Sequence, residues 1–197
     1  MKINKKILVV MHILCQYGKE KTCKNKIVLY NKIVSVKIGN IYPKIDFIVK
    51  GWGDVLMKKI SIIYWSNGGN VEVIANSIAE GAKSQNSQVN IMHVCDAKIE
   101  DVTEVDAVAF GSPSMDNNRI EQHEMEPFIN QFKLLPNKQK KVVLFGSYGW
   151  DDGKFMVDWV QRMKDYDFNV VGSIAVKESP SEEDLQKAMK LGEELTI

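Results

Sequence analysis

From Lys59 onward the chain alternates short apolar runs with amphipathic stretches of three to four helical turns. The apolar runs occupy residues 59–65, 89–94, 105–111, 141–146 and 169–176, and each is rich in Val, Ile or Phe, as strands covered on both faces should be. Between them Val71, Ala75, Ile78, Ala79 and Ala82 recur at helical spacing, as do Met125, Phe128, Ile129 and Phe132, and then Phe155, Trp159 and Met163. A last helix carries Leu185, Ala188, Met189 and Leu195, and its start is expected at Ser179, Pro180 and Glu182, a capping-box pattern with proline at the first helical position. This alternation predicts an α/β fold: a doubly wound three-layer sandwich around a five-stranded parallel sheet of order 2-1-3-4-5.

Residues 1–56 read differently. They hold eleven lysines and three acidic residues, a net +8, whereas residues 57–197 carry a net −7 behind an overall charge of only +1. Apolar runs such as "KIVLYNKIVSVKIGN" could pair as a hairpin but lack a strong turn signal. Several readings stand side by side for this segment: a small added β-element, a basic arm for an acidic partner, a targeting remnant, or sequence outside the working protein. The last is the leading expectation, with translation starting at Met57, because Lys, Ile, Asn and Tyr are what AT-rich DNA encodes by default. Residues 57–197 are then the functional domain.

At 45% hydrophobic and 26% charged, the 197 residues supply one ordinary core and exclude a disordered or fibrous chain. Cys15, Cys23 and Cys95 are too few and too irregular for a disulfide framework, and no Cys/His grouping has metal-ligand spacing, so a reducing cytoplasm and no metal are expected. The early run "ILVVMHILC" is too short to span a bilayer, and no small-residue cleavage site follows it. His12, His93 and His123 show no arrangement for acid–base work, and Glu121, Glu124 and Glu126 read as acids at a helix start.

In a doubly wound sheet, ligands sit at the carboxyl ends of the strands where the order reverses. Three loops fall at such ends: "SNGGNV" at 66–71, "SPSMDNN" at 112–118 and "SYGWDDG" at 147–153. In the first, Gly68 and Gly69 permit a tight turn, Ser66 and Asn70 offer donors, and the helix starting near Val71 presents free N–H groups, a combination suited to a phosphate. It has neither the Gly-Lys-Ser/Thr of a nucleotide triphosphatase nor G-x-G-x-x-G. Met115 and Trp150 are large side chains on polar loops, placed to sandwich a planar ring whose edge meets Asn117 and Asn118.

The stretches "IIYWSNGGNVEVIANSIAEG", "GSPSMDNNRIEQHEMEPFI" and above all "VVLFGSYGWDDGKFMVDWVQRM" resemble the short-chain flavodoxins over essentially all of residues 57–197. The resemblance implies a small electron carrier with non-covalently bound flavin mononucleotide (FMN), whose phosphate is held by Ser66, Asn67, Gly68, Gly69, Asn70 and Val71. Met115 and Trp150 would cover the two faces of the flavin ring. Ser114, Asp116, Asn117, Asn118, Ser147, Tyr148, Gly149, Asp151 and Gly153 would line its remaining border. It further implies redox partner proteins docking at an acidic surface, no nucleic-acid or membrane partner, and a monomer.

Three positions in two loops depart from the family's pattern. Gly68 and Val71 stand where threonines are usual, and each absent bond to a charged phosphate is worth about 1.5–3 kcal/mol. Asp116 stands where glycine is frequent, so a left-handed turn there would cost about 1 kcal/mol and disfavour the one-electron-reduced flavin. Two rival readings follow: an FMN-dependent NAD(P)H quinone or nitro-compound reductase on the same fold, and a flavodoxin-like module with weakened or lost FMN binding.

Overall fold

The computed structural model describes residues 57–150 and 152–197, so the expectations for residues 1–56 and for Asp151 lie outside the described residues. Five strands form the sheet: β1 (Lys59–Tyr64), β2 (Gln88–His93), β3 (Ala107–Gly111), β4 (Lys140–Tyr148) and β5 (Phe168–Lys177). Every neighbouring pair is parallel and the order is β2-β1-β3-β4-β5, the doubly wound arrangement that the sequence pattern predicts. The helices are α1 (Asn70–Ser84), the short α2 (Glu100–Thr103), α3 (Met125–Asn130), α4 (Lys154–Asp165) and α5 (Glu182–Glu194). The single-turn α2 has no counterpart in the apolar periodicity, because only Val102 of it is buried.

Strand alternation divides the core between the two faces of the sheet. Ile60 and Ile62 of β1 pack with Val71, Ile74 and Ile78 of α1 and with Ala188 of α5, while Ile63 faces Phe110, Phe128 of α3 and Phe155 and Trp159 of α4. Coverage on both faces holds for β1, β3 and β4 but not for β2 and β5, which run half-exposed along the two edges. The cap of α5 also differs from the expectation. Ser181, not Ser179, is the cap: its hydroxyl accepts from the Asp184 N–H at 3.3 Å, and the Asp184 carboxylate accepts from the Ser181 N–H at 3.0 Å. Only Asp184 stands three residues beyond a serine with its carboxylate turned back, so this reciprocal pair sets the helix start.

Two features hold the site-bearing elements in place. On one face, α1 crosses α5 so closely that a Cβ added at Gly81 would lie 1.9 Å from the Met189 carbonyl oxygen, and one at Gly192 would lie 2.0 Å from that of Ile78. On the other, the long β3–α3 connection is organised by the buried carboxylate of Glu121, which accepts from the backbone N–H groups of His123 at 2.6 Å, Glu124 at 2.8 Å and Met125 at 2.8 Å. Burial opposes ionisation of this group, but the three donors outweigh it and hold its pKa below the ordinary 4.5. The Glu121 N–H itself donates to Ser112 Oγ at 2.8 Å, closing the loop onto the end of β3.

Overpacking of a tight crossing costs about 1–3 kcal/mol, so Gly81→Ala and Gly192→Ala should each lower the urea midpoint by that equivalent with an unchanged m-value. Because the folded-state pKa of Glu121 is depressed, its contribution is complete above the ordinary carboxylate value and is lost as the pH falls through the lower, folded one. Glu121→Gln should therefore flatten the fall of stability below about pH 4.5, and Glu121→Ala, which strands three donors, should cost about 3 kcal/mol at neutral pH. Denaturant titrations across pH check both.

Candidate functional site

The site grows out of neighbouring strand ends: β1 and β3 stop level, and β4 runs on to Tyr148. Tyr64 of β1 is level with Gly111 of β3, and Gly111 with Phe145 of β4. The ladder then continues into the loops: Trp65 donates to the Gly111 carbonyl at 2.9 Å, Ser112 to Phe145 at 3.0 Å and Ser114 to Ser147 at 2.7 Å. Chain segments remote in sequence leave the sheet side by side.

The first loop turns sharply into α1. Gly69 adopts φ 86°, a conformation that glycine takes without steric cost, and its N–H donates to Ser66 Oγ at 3.1 Å. That bond uses a lone pair of Ser66, so the hydroxyl proton stays available to a ligand. No side chain caps α1, and its first-turn N–H groups have no partner within the helix, leaving the positive end of its dipole facing the turn. Asn70 Oδ1 accepts from Ser179 Oγ at 3.3 Å, which ties this loop to the segment preceding α5 and leaves the Asn70 amide protons as donors.

Ser66, Asn67, Gly68, Asn70, Val71, Met115 and Ser147 line one open cleft of about 190 Å³ at this edge. Gly69 caps the helix beside it. Trp65 and Pro113 also line it, and sequence reasoning did not single them out. Trp65 stands one residue beyond β1, where the break from apolar to polar positions was the available signal. A Cβ added at Gly68 or Gly149 would meet nothing within 4 Å, so the space before these residues is open.

The second loop is a tight hairpin, with Met115 and Arg119 exchanging backbone bonds of 2.7 and 3.3 Å around Asp116, Asn117 and Asn118. Its left-handed residues are Asn117 and Asn118, both at φ 57°, and not Asp116; the backbone strain expected at Asp116 is absent, because asparagine takes up the reversal more easily. Arg119 Nε donates to the Asp116 carbonyl at 3.2 Å, Met115 is half-buried, Ser114 is buried, and Asp116 and Asn117 face solvent. In the third loop the Tyr148 carbonyl accepts from the Glu178 N–H at 2.8 Å, Gly153 caps α4 at φ 77°, and Trp150 stands 75% exposed.

One further charge lies next to the first turn of α1. The Tyr64 hydroxyl is held above its ordinary pKa, by burial first and then by the Glu72 carboxylate that accepts its hydrogen bond, so the phenol stays neutral at physiological pH. Backbone N–H groups, the Ser66 hydroxyl and the Asn70 amide could thus hold an anion, and no lysine or arginine is among the described residues that line the cleft. A half-buried thioether and an exposed indole stand on the two neighbouring loops. These residues fit a ligand with a phosphate at one end and a flat apolar ring at the other.

Comparison with known proteins agrees with this geometry. The family model described as Flavodoxin matches residues 62–192. The flavodoxin of Megasphaera elsdenii is 37% identical over 135 residues, spanning 68% of this chain and 96% of that protein. The flavodoxin of Clostridium beijerinckii is 35% identical over 136 residues, spanning 69% and 98%. The solution structure of two-electron reduced M. elsdenii flavodoxin superposes with a TM-score of 0.62 at 34% identity, covering 70% of this chain and 98% of that one. With the strand order, the three loops and nearly the whole length of these relatives matched, the chain belongs to the flavodoxin family.

Proposed function

We propose that this flavodoxin holds its FMN in the cleft at the ends of β1, β3 and β4, the phosphate against residues 66–71 and the ring between Met115 and Trp150. The observation that carries the reading is the cleft in which an uncapped helix start, with Ser66 and Asn70, meets Met115 of the second loop and Ser147 of the third. Bound FMN supplies a centre that takes up and gives back single electrons. The chain's part is to bind it, to exclude water from one ring face with Met115 and from the other with Trp150, and to surround it with carboxylates. Asp116 and Asp152, both exposed, and the net −7 of residues 57–197 disfavour added negative charge on the ring. The same acidic surface suits basic patches on redox partner proteins. We place the protein in the cytoplasm as a monomeric carrier; no helix among the described residues is long and apolar enough to cross a membrane.

Gly68 and Val71 take different parts in this reading. Val71 is 1% exposed and belongs to the core beneath α1, so packing occupies it as well as the ligand. Gly68 has neither a left-handed φ nor a neighbour that a side chain would strike.

The reading is tested by titrating the apoprotein into FMN and following the loss of flavin fluorescence. A sub-micromolar dissociation constant is expected, with riboflavin, which lacks the phosphate, weaker by about a hundredfold. Trp150→Ala should weaken FMN by about tenfold, the value of one stacked aromatic face. No quenching at tens of micromolar, or equal affinity for riboflavin, would overturn the assignment. NAD(P)H oxidation by the holoprotein alone would instead mark a reductase. In the same assay Gly68→Thr should tighten FMN by about fivefold, the worth of one regained hydrogen bond, whereas weaker binding would show that the phosphate approaches the Gly68 backbone directly.

A further inference from the structure

β2 ends at His93, and the 3-10 turn Val94–Asp96 that follows folds Cys95 back onto it, placing the thiol sulfur 3.1 Å from His93 Nδ1. From the β3–α3 connection Glu124 brings a carboxylate oxygen to 3.6 Å from the same nitrogen. The three donor atoms lie within 4.8 Å of one another, with His93 half-buried and Cys95 and Glu124 exposed. Among the described residues no lysine or arginine pairs with Glu124. Spacing along the chain carries no sign of this grouping, since His93 and Cys95 sit at one strand end and Glu124 on a different loop.

We propose that His93, Cys95 and Glu124 form a binding site for a divalent transition metal of the zinc class, with Cys95 bound as thiolate and a fourth position open to water. The donor set decides the class of ion. One imidazole, one sulfur and one carboxylate suit Zn²⁺, whereas Mg²⁺ and Ca²⁺ require oxygen throughout. The spacing is also close to what such an ion needs. Tetrahedral ligands at about 2.1 and 2.3 Å from zinc lie about 3.6 Å apart, so the His93–Glu124 distance already fits and the His93–Cys95 distance must open by about half an ångström. That is within reach of side-chain rotation at an exposed residue.

The site borders the cleft without belonging to it. The ring of His93 lies 6.2 Å from that of Trp65, which lines the cleft, and 5.8 Å from that of Tyr64. The proposal does not rest on flavin binding.

The test uses the full chain, reduced and freed of metal by a chelator, titrated with Co²⁺ and read by the near-ultraviolet thiolate-to-cobalt absorption. One Co²⁺ per chain is expected, displaced by stoichiometric Zn²⁺. Because Cys15 and Cys23 are also thiols, the Cys15→Ser/Cys23→Ser chain must keep the band and Cys95→Ser must lose it. His93→Asn and Glu124→Gln should each weaken the ion by about tenfold or more. The proposal fails if the band is absent at millimolar Co²⁺, if it survives Cys95→Ser, or if it disappears in Cys95→Ser yet is indifferent to both His93→Asn and Glu124→Gln. The last pattern would mark binding by a single thiol.

Discussion

The parallel, in-step pairing of β1, β3 and β4 is the constraint from which the rest of this site follows. Hydrogen-bonded strands lie about 4.8 Å apart, so β1 and β3, which end level, and β4, which runs on from Phe145 to Tyr148, deliver their loops within a single ligand's length. β1 is flanked by β2 on one side and β3 on the other, and the chain must leave in opposite senses from this point, which opens the crevice. The same geometry starts α1 and α4 at that edge, each behind a left-handed glycine. Their positive dipole ends therefore face the crevice, where a phosphate and the polar border of a flat ring would be met.

The molecule also contains its own demonstration that backbone donors can hold an anion. Glu121 is 1% exposed and remains favoured in its ionised form chiefly because three N–H groups converge on it, with a smaller contribution from His123. The start of α1 offers a comparable set of donors to a ligand. On the proposed reading, a loop with Gly68 and Val71 in place of hydroxyl side chains would lose less than its side chains suggest, since most of its donors would be main-chain N–H groups.

Much of the fold was legible because strands and helices here obey their simple periods. The five apolar runs became five strands, and the stripes at Val71, Phe155 and Ala188 became buried helix faces. What escaped depended on partners rather than on period. The cap of α5 moved to Ser181 because only Asp184 turned its carboxylate back. The left-handed residues proved to be Asn117 and Asn118 because the bridge between Met115 and Arg119 fixes where the hairpin reverses. Trp65 and Pro113 reached the cleft through the register of β1 with β3, and His93 met Glu124 through the course of a long connection; neither follows from spacing along the chain. The loops themselves stood out in the sequence because large side chains among small polar ones, as at Met115 and Trp150, are costly to leave uncovered.

The exposed ring of Trp150 has a further meaning in terms of conformational entropy. The base of its loop is anchored by the bond between Tyr148 and Glu178, and Gly153 is fixed as a helix cap, while the indole itself lies 75% in water. Closing it over a flat ligand would therefore release little packed surface and immobilise one side chain with two torsions, at a cost of about 0.5–1.5 kcal/mol. A surface that pays so little to close can also open at little cost. On the proposed reading, the ring that would shield one face of the ligand would also be free to swing against an approaching protein, a contact adjustable from one partner to the next.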